Sequence, residues 1–158
     1  MEIGVFYRCQ ICGNLVALIH EGDGELVCCG QPMTRLVANS VDASKEKHVP
    51  VVNKENGKMD VTVGSAAHPM TAEHFIEWIA FVSEKKIELV YLKPGMEPKA
   101  QFLSPLVPEK VKIIHVAEGE CDVPNCEGSP CNFSTSEPAG DGGTVFAYCN
   151  LHGLWKAN

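Results

Sequence analysis

Four cysteines crowd the first 29 residues, Cys9 and Cys12 in "RCQICG" and Cys28 and Cys29 in "VCCG", and no other cysteine follows until Cys121. The polar stretch "ANSVDASKEK" reads as a linker and sets a first domain at 1–37. A segment this short cannot bury enough apolar surface to stay folded by itself, so a metal, disulfides or a partner chain must supply the rest. The N-terminus "MEIGVFYRCQ" lacks a basic n-region and an apolar h-region, which predicts a cytoplasmic protein. Reducing conditions disfavour structural disulfides, and metal ligation becomes the preferred reading. A CxxC turn lets two thiolates bite one ion, with backbone N–H groups aimed at sulfur. Four thiolates make a tetrahedral site that suits zinc or iron equally. The adjacent pair Cys28–Cys29 cannot form a second such knuckle and predicts a distorted tetrahedron. "GVFYR" and "LVALIH" read as short strands, with Gly22, Gly24 and Gly30 marking turns.

Residues 38–158 form the second predicted domain. Of the 158 residues 45% are hydrophobic, enough for a packed core here. "HVPVV", "KMDVTVG", "HFIEWIAFV", "KIELVYLK", "KAQFLS", "VKIIHVA" and "VFAYC" are β-rich runs separated by turn residues. Seven such runs predict an all-β sandwich or barrel. In "HFIEWIAFVSEKK", Phe75, Trp78, Ile79 and Val82 also fit a helical face; the β-branched and aromatic content favours a strand. Two prolines in "SPLVPEK" argue against a helix there. Residues 118–144 are rich in Gly, Pro, Ser and acids and carry Cys121, Cys126 and Cys131, which reads as a long inserted loop.

Twenty acidic and 13 basic residues give a net charge of −7. Nucleic-acid binding needs a basic surface and is not expected. No apolar run approaches the length of a membrane span. An anionic substrate would need a local positive patch to draw it in.

The six histidines divide by context. His48, His68, His74 and His152 each sit at the end of a predicted strand beside proline, glycine or a turn, where a rigid β scaffold presents ligands. His115 lies inside the alternating strand "VKIIHVA" and reads as a strand residue, and His20 reads as solvated. Cys149 stands three residues before His152 in "YCNLHG". Four imidazoles and one thiolate would exceed the four ligands of structural zinc and favour iron. A thiolate opposite a vacant position donates strongly to iron. In "KEK", Glu46 and Lys47 read from composition alone as a solvated charge run.

The motifs "YRCQICGNLV" and "GELVCCGQPM" resemble a desulforedoxin-type domain. "DASKEKHVPVV", "VGSAAHPMTAEHFIEWI", "YLKPG" and "YCNLHGLWKA" resemble the superoxide reductase domain. Together, in this order, they are similar to the desulfoferrodoxins, the two-iron superoxide reductases. The resemblance covers roughly residues 5–117 and 145–158. It implies a rubredoxin-like iron on Cys9, Cys12, Cys28 and Cys29. It implies a second iron with His48, His68, His74 and His152 equatorial and Cys149 axial. It implies a small metal-bound domain followed by an immunoglobulin-like seven-stranded β-sandwich, a homodimer, and rubredoxin as electron donor. The reaction implied is one-electron reduction of superoxide to hydrogen peroxide. Lys47 then becomes the cationic lure, and Glu46 the carboxylate that occupies the vacant position of the oxidised iron. Backbone N–H groups of "NLHG" are expected to hydrogen-bond the Cys149 sulfur. A competing reading is an electron-transfer or iron-carrying protein without turnover. The insertion with Cys121, Cys126 and Cys131 lies outside the resemblance; incidental thiols, a disulfide with one free thiol and an additional metal or redox role all fit its spacing.

Overall fold

A computed structural model of the chain describes residues 4–41, 43–55, 57–103, 110–115, 132–137 and 143–157, the segments 110–115 and 132–137 by their backbone alone. The chain forms two compact units, Met1–Ser104 with Gly142–Asn158, and Pro105–Asp141.

The first unit opens with five short strands, β1 (Val5–Arg8), β2 (Leu15–Leu18), β3 (Val27–Cys28), β4 (Gln31–Pro32) and β5 (Thr34–Arg35). β1 pairs antiparallel with both β2 and β5, and β3 with β4. The β3–β4 hairpin has a two-residue loop, Cys29 and Gly30, with φ of 53° and 74°. Both loop residues are left-handed, as a type I′ turn requires. Glycine adopts that φ freely, but Cys29 holds it against its Cβ.

A single helical turn, α1 (Lys45–His48), follows where the sequence read as a linker. Then come β6 (Pro50–Glu55), β7 (Lys58–Val63), β8 (Ile76–Val82), β9 (Ile87–Tyr91) and β10 (Lys99–Leu103). The second unit contains a hairpin of β11 (Lys110–His115) and β12 (Asn132–Glu137), paired from Lys110↔Glu137 to His115↔Asn132. The chain returns to the first unit with β13 (Thr144–Cys149) and β14 (Gly153–Lys156).

Two sheets make the sandwich, β10-β7-β6 and β14-β13-β8-β9. Alternation along the strands explains the packing. Val145, Ala147 and Cys149 of β13 and Ile79 and Phe81 of β8 face Met59, Val61, Val63 and Phe102 between the sheets. The intervening Phe146, Tyr148, Trp78, Ala80 and Val82 face outward and are buried too, under Phe6, Leu15, Leu36 and Ala38. Phe6 lies 5.2 Å from Trp78 and 5.4 Å from Phe146, ring centre to ring centre. The cysteine-rich segment therefore completes its core against the outer face of the sandwich. Burial on both faces makes β8 apolar at every position except Glu77 and removes the period-two signal. That is why "HFIEWIAFV" reads equally as helix or strand.

Seven strands form the sandwich among the described residues, but their membership differs from expectation. Of "VKIIHVA", the described residues 111–115 belong to the separate hairpin, and "GLWK", too short to register as a strand, takes a place beside β13. The predicted loop 118–144 contains β12, whose "NFSTSE" pairs through backbone hydrogen bonds without the apolar alternation that reveals a strand. Cys121, Cys126 and Cys131 lie outside the described residues.

A candidate iron centre at one end of the sandwich

One end of the sandwich gathers the start of β6, the end of β7, the start of β8, the end of β13 and the turn into β14. His48 closes α1 just before β6. His68 follows β7, His74 precedes β8, Cys149 ends β13 and His152 lies in the turn to β14. Their donor atoms all lie within 4.8 Å of one another.

Gly64 makes the approach of these segments possible. Its φ is +82°, and a Cβ there would sit 2.4 Å from the Ala66 carbonyl oxygen, 2.7 Å from that of Lys47 and 2.8 Å from that of Glu46. The chain after β7 thus rests on the carbonyls of α1, and Ala66 N–H donates to the Glu46 carbonyl at 2.9 Å. This contact sets His48 beside His68.

The four imidazoles form a square. Neighbouring ring centres are 4.7 Å apart for His48–His68, 4.6 Å for His68–His74, 4.8 Å for His74–His152 and 4.6 Å for His48–His152. Neighbouring planes are near perpendicular, at 75° to 81°. His48 and His74, on the diagonal, are 6.0 Å apart and inclined by only 28°. Rings arranged as propeller blades aim four nitrogens at one point. Cys149, fully buried, lies on the core side of that point, with its Sγ 3.5 Å from His152 Nδ1.

In two of the rings a hydrogen bond decides which nitrogen is bare. His48 Nδ1–H donates to the Ser44 carbonyl at 2.7 Å, and His68 Nδ1–H to the Pro69 carbonyl at 2.5 Å. The proton on Nδ1 leaves Nε2 with a lone pair, the arrangement usual for metal-bound histidine. Nε2 of His68 and of His74 are buried with no hydrogen-bond partner. His48 Nε2 faces His152 Nδ1 at 2.9 Å. Burial is the first cause that lowers the pKa of His48, His68 and His74, and His68 is brought down to about 4. These three rings are therefore neutral ligands at physiological pH. Burial raises the Cys149 thiol, while backbone N–H groups of His152 and Leu151 hydrogen-bond its sulfur and oppose that rise. Orphaned, neutral nitrogens converging beside a buried sulfur fit a metal ion, and five donors of this kind suit iron rather than structural zinc.

Trp155 backs the group. It is fully buried and stacks on His48 at 4.8 Å and 23°. Its place in "HGLWK" gave no hint of this role.

Glu46 and Lys47 sit on α1 with exposed side chains. Glu46 accepts a hydrogen bond from the Ser44 hydroxyl, the first cause holding its carboxyl below the usual range. It stands outside the group of five donors. The charge of Lys47 is near enough to contribute to lowering the pKa of His48 and His74. His20 is exposed, and His115 lies in β11.

The four sulfurs of Cys9, Cys12, Cys28 and Cys29 form a second group within 4.8 Å. Cys12 Sγ lies 3.6 Å and Cys29 Sγ 3.9 Å from Cys28 Sγ. The edge of a regular metal–sulfur tetrahedron is roughly 3.8 Å. At these two edges the adjacent pair strains the backbone at Cys29 more than the sulfur geometry. Backbone N–H groups of Cys12 and Ile11 lower the Cys9 thiol to about 6, whereas neighbouring sulfurs, Cys12 foremost, push Cys29 up to about 12. Four thiolates this close need a cation between them.

Residues 2–36 match the family model "Desulfoferrodoxin, N-terminal domain", and residues 40–124 match the model "Desulfoferrodoxin". The chain belongs to the desulfoferrodoxin family. A desulfoferrodoxin of Syntrophotalea carbinolica is 42% identical over 96% of this chain and 93% of its own length. A desulfoferrodoxin homologue of Archaeoglobus fulgidus is 38% identical over 99% of this chain and 98% of its own. The superoxide reductase of Treponema pallidum superposes over all of both chains, with a TM-score of 0.61 and 25% identity. The two groups of donors fit the two iron sites expected of a desulfoferrodoxin. Among the described residues, no helix is long and apolar enough to cross a membrane.

Proposed function

We propose that the chain is a superoxide reductase, and that the square of His48, His68, His74 and His152 over Cys149 is its active site. The single observation that carries this reading is that propeller of four imidazoles with a buried sulfur beneath it. When bound there, iron supplies the one electron that, with two protons, turns superoxide into hydrogen peroxide.

The chain's own residues account for the rest. His48, His68, His74 and His152 would hold the metal through ring nitrogens, and the Nδ1–H bonds of His48 to Ser44 and of His68 to Pro69 fix those two blades. Cys149 donates from the core side, where the N–H groups of Leu151 and His152 restrain its charge. His74 and His152 are half-buried, which leaves the solvent side for substrate. Lys47 projects into solvent next to His48 and offers the positive charge that draws an anion to a protein of net charge −7. Lys47 also positions the anion by a hydrogen bond. Glu46 would be the carboxylate available to cover the solvent side of the centre, and to do so it would leave the Ser44 hydroxyl.

The domains divide at residue 37, with the sandwich domain at 38–158. A one-electron donor of the rubredoxin kind supplies the reducing electrons. The protein acts as a homodimer in the cytoplasm.

The test mixes the reduced, iron-loaded protein with a superoxide source and follows both products. Reduction gives one peroxide per superoxide consumed and no dioxygen. Dismutation, with dioxygen released, would overturn the reading, and an electron carrier would give neither product above background.

A further inference from the structure

We infer that Asn150 is a positioning residue that locks the segment carrying His74 onto the strand end carrying Cys149. The inference rests on the reading that both residues ligate iron.

The β8–β13 ladder is regular as far as Tyr148↔Trp78, then shifts so that Cys149 pairs with Ile76. Beyond this bulge Asn150 takes over the pairing. Its backbone N–H donates to the Phe75 carbonyl at 3.2 Å. Its side-chain Oδ1 accepts from Phe75 N–H at 3.0 Å, and its Nδ2 donates to the Glu73 carbonyl at 2.8 Å. One amide thus grips the backbone on both sides of His74. His74 itself is held by Thr71, whose Oγ1 accepts from His74 N–H at 3.1 Å and whose own N–H donates to the His74 carbonyl at 3.0 Å. Every backbone polar group from the Glu73 carbonyl to the Phe75 carbonyl is occupied.

Asparagine suits the task because one planar group presents an acceptor and a donor side by side. Aspartate would accept from Phe75 but set an oxygen against the Glu73 carbonyl. It would also bring a charge toward Cys149, whose Sγ is 3.9 Å from Asn150 Oδ1. Among the described residues, His74 Nδ1, unlike that of His48 or His68, has no hydrogen bond of its own to orient the ring. The Asn150 grip takes the place of that bond by fixing the backbone.

The test uses protein loaded with iron at both centres, reduced, and challenged with a ferrous chelator while the two centres are followed separately by absorption. Loss of an outer partner of a ligand typically weakens metal holding by about 10–100-fold. Asn150→Ala is expected to release iron from the five-donor centre faster by that factor and to shift its thiolate-to-iron absorption. Release from the four-cysteine centre should stay unchanged. Asn150→Asp, which keeps the acceptor and the shape, should also speed release from the five-donor centre, and it decides the matter if the alanine variant does not fold. Release within twofold of the parent in a folded variant overturns the inference. So does parallel acceleration at both centres, which marks general loosening. A parent protein that never takes up iron at the five-donor centre overturns the underlying reading as well, and the two failures are distinct.

Discussion

Replacing Gly64 by alanine tests how the iron centre is assembled. Two costs arise there. The φ of +82° lies in the left-handed region, which costs an L-residue about 1–2 kcal/mol. The added Cβ would also press within 2.4 to 2.8 Å of three backbone carbonyls, on Ala66, Lys47 and Glu46. Backbone atoms cannot turn aside as a flexible side chain can. The Glu46 carbonyl is held by Ala66 N–H at 2.9 Å, and Gly64 N–H is bonded to the Val49 carbonyl at 3.1 Å. Relief requires α1 to move, and His48 moves with it. Gly95 supplies the control, with a φ of +84° and nothing within 4 Å of the added Cβ. Gly95→Ala therefore carries the conformational cost alone, about 1–2 kcal/mol. Gly64→Ala adds overpacking of roughly 1–3 kcal/mol, for a sum on the order of 4 kcal/mol. Urea unfolding of both variants measures the difference directly. Iron analysis of the folded material should show the five-donor centre depleted in Gly64→Ala and full in Gly95→Ala. Equal destabilisation by the two substitutions, or full iron in Gly64→Ala, would refute the account of how α1 and His48 are placed.

Other outcomes follow from the same geometry. Lys47→Ala should slow superoxide capture in pulse radiolysis and weaken its dependence on ionic strength; an unchanged rate and salt slope would remove the lure. Trp155→Ala deletes a fully buried ring stacked on His48 and should cost about 3–5 kcal/mol in urea unfolding, with loss of iron from the five-donor centre only. For the metal-free protein, His68 titrates near 4 when folded and near 6.5 when unfolded. The unfolded chain takes the proton first, so stability is whole above pH 6.5 and falls as the pH drops toward 4, by on the order of 3 kcal/mol. Thermal melts across that range should show the decline, with a shallower slope in His68→Gln; identical slopes would contradict it.

Legibility in the sequence varied with how local each signal was. Cys9 and Cys12 announce their site through a spacing that one knuckle satisfies, and the type I′ turn at Cys29 and Gly30 shows how an adjacent pair completes it. The histidines are far apart in the chain; their places at the ends of predicted strands single out four of them, and the resemblance to a family assigns those four to one iron. Their convergence depends on which strands are neighbours, and no periodicity encodes that. β7 and β10 show plain alternation because one face of each is wet. β8 hides it because Phe6 and its neighbours cover the second face. α1 is a single turn whose "KEKH" carries no apolar stripe, and it holds together through the Ala66 and Gly64 contacts instead. Asn150 and Trp155 act through tertiary contacts alone. They therefore look like ordinary residues of a short loop and a short strand.

The central claim is that one iron sits among five particular atoms. Anomalous diffraction at the iron edge from crystals of the iron-loaded protein tests it most directly. The account predicts two peaks per chain, one among the sulfurs of Cys9, Cys12, Cys28 and Cys29. The other should be bounded by Nε2 of His48, His68 and His74, Nδ1 of His152 and Sγ of Cys149. A second peak lying elsewhere, or one touched by only some of those five atoms, would contradict it.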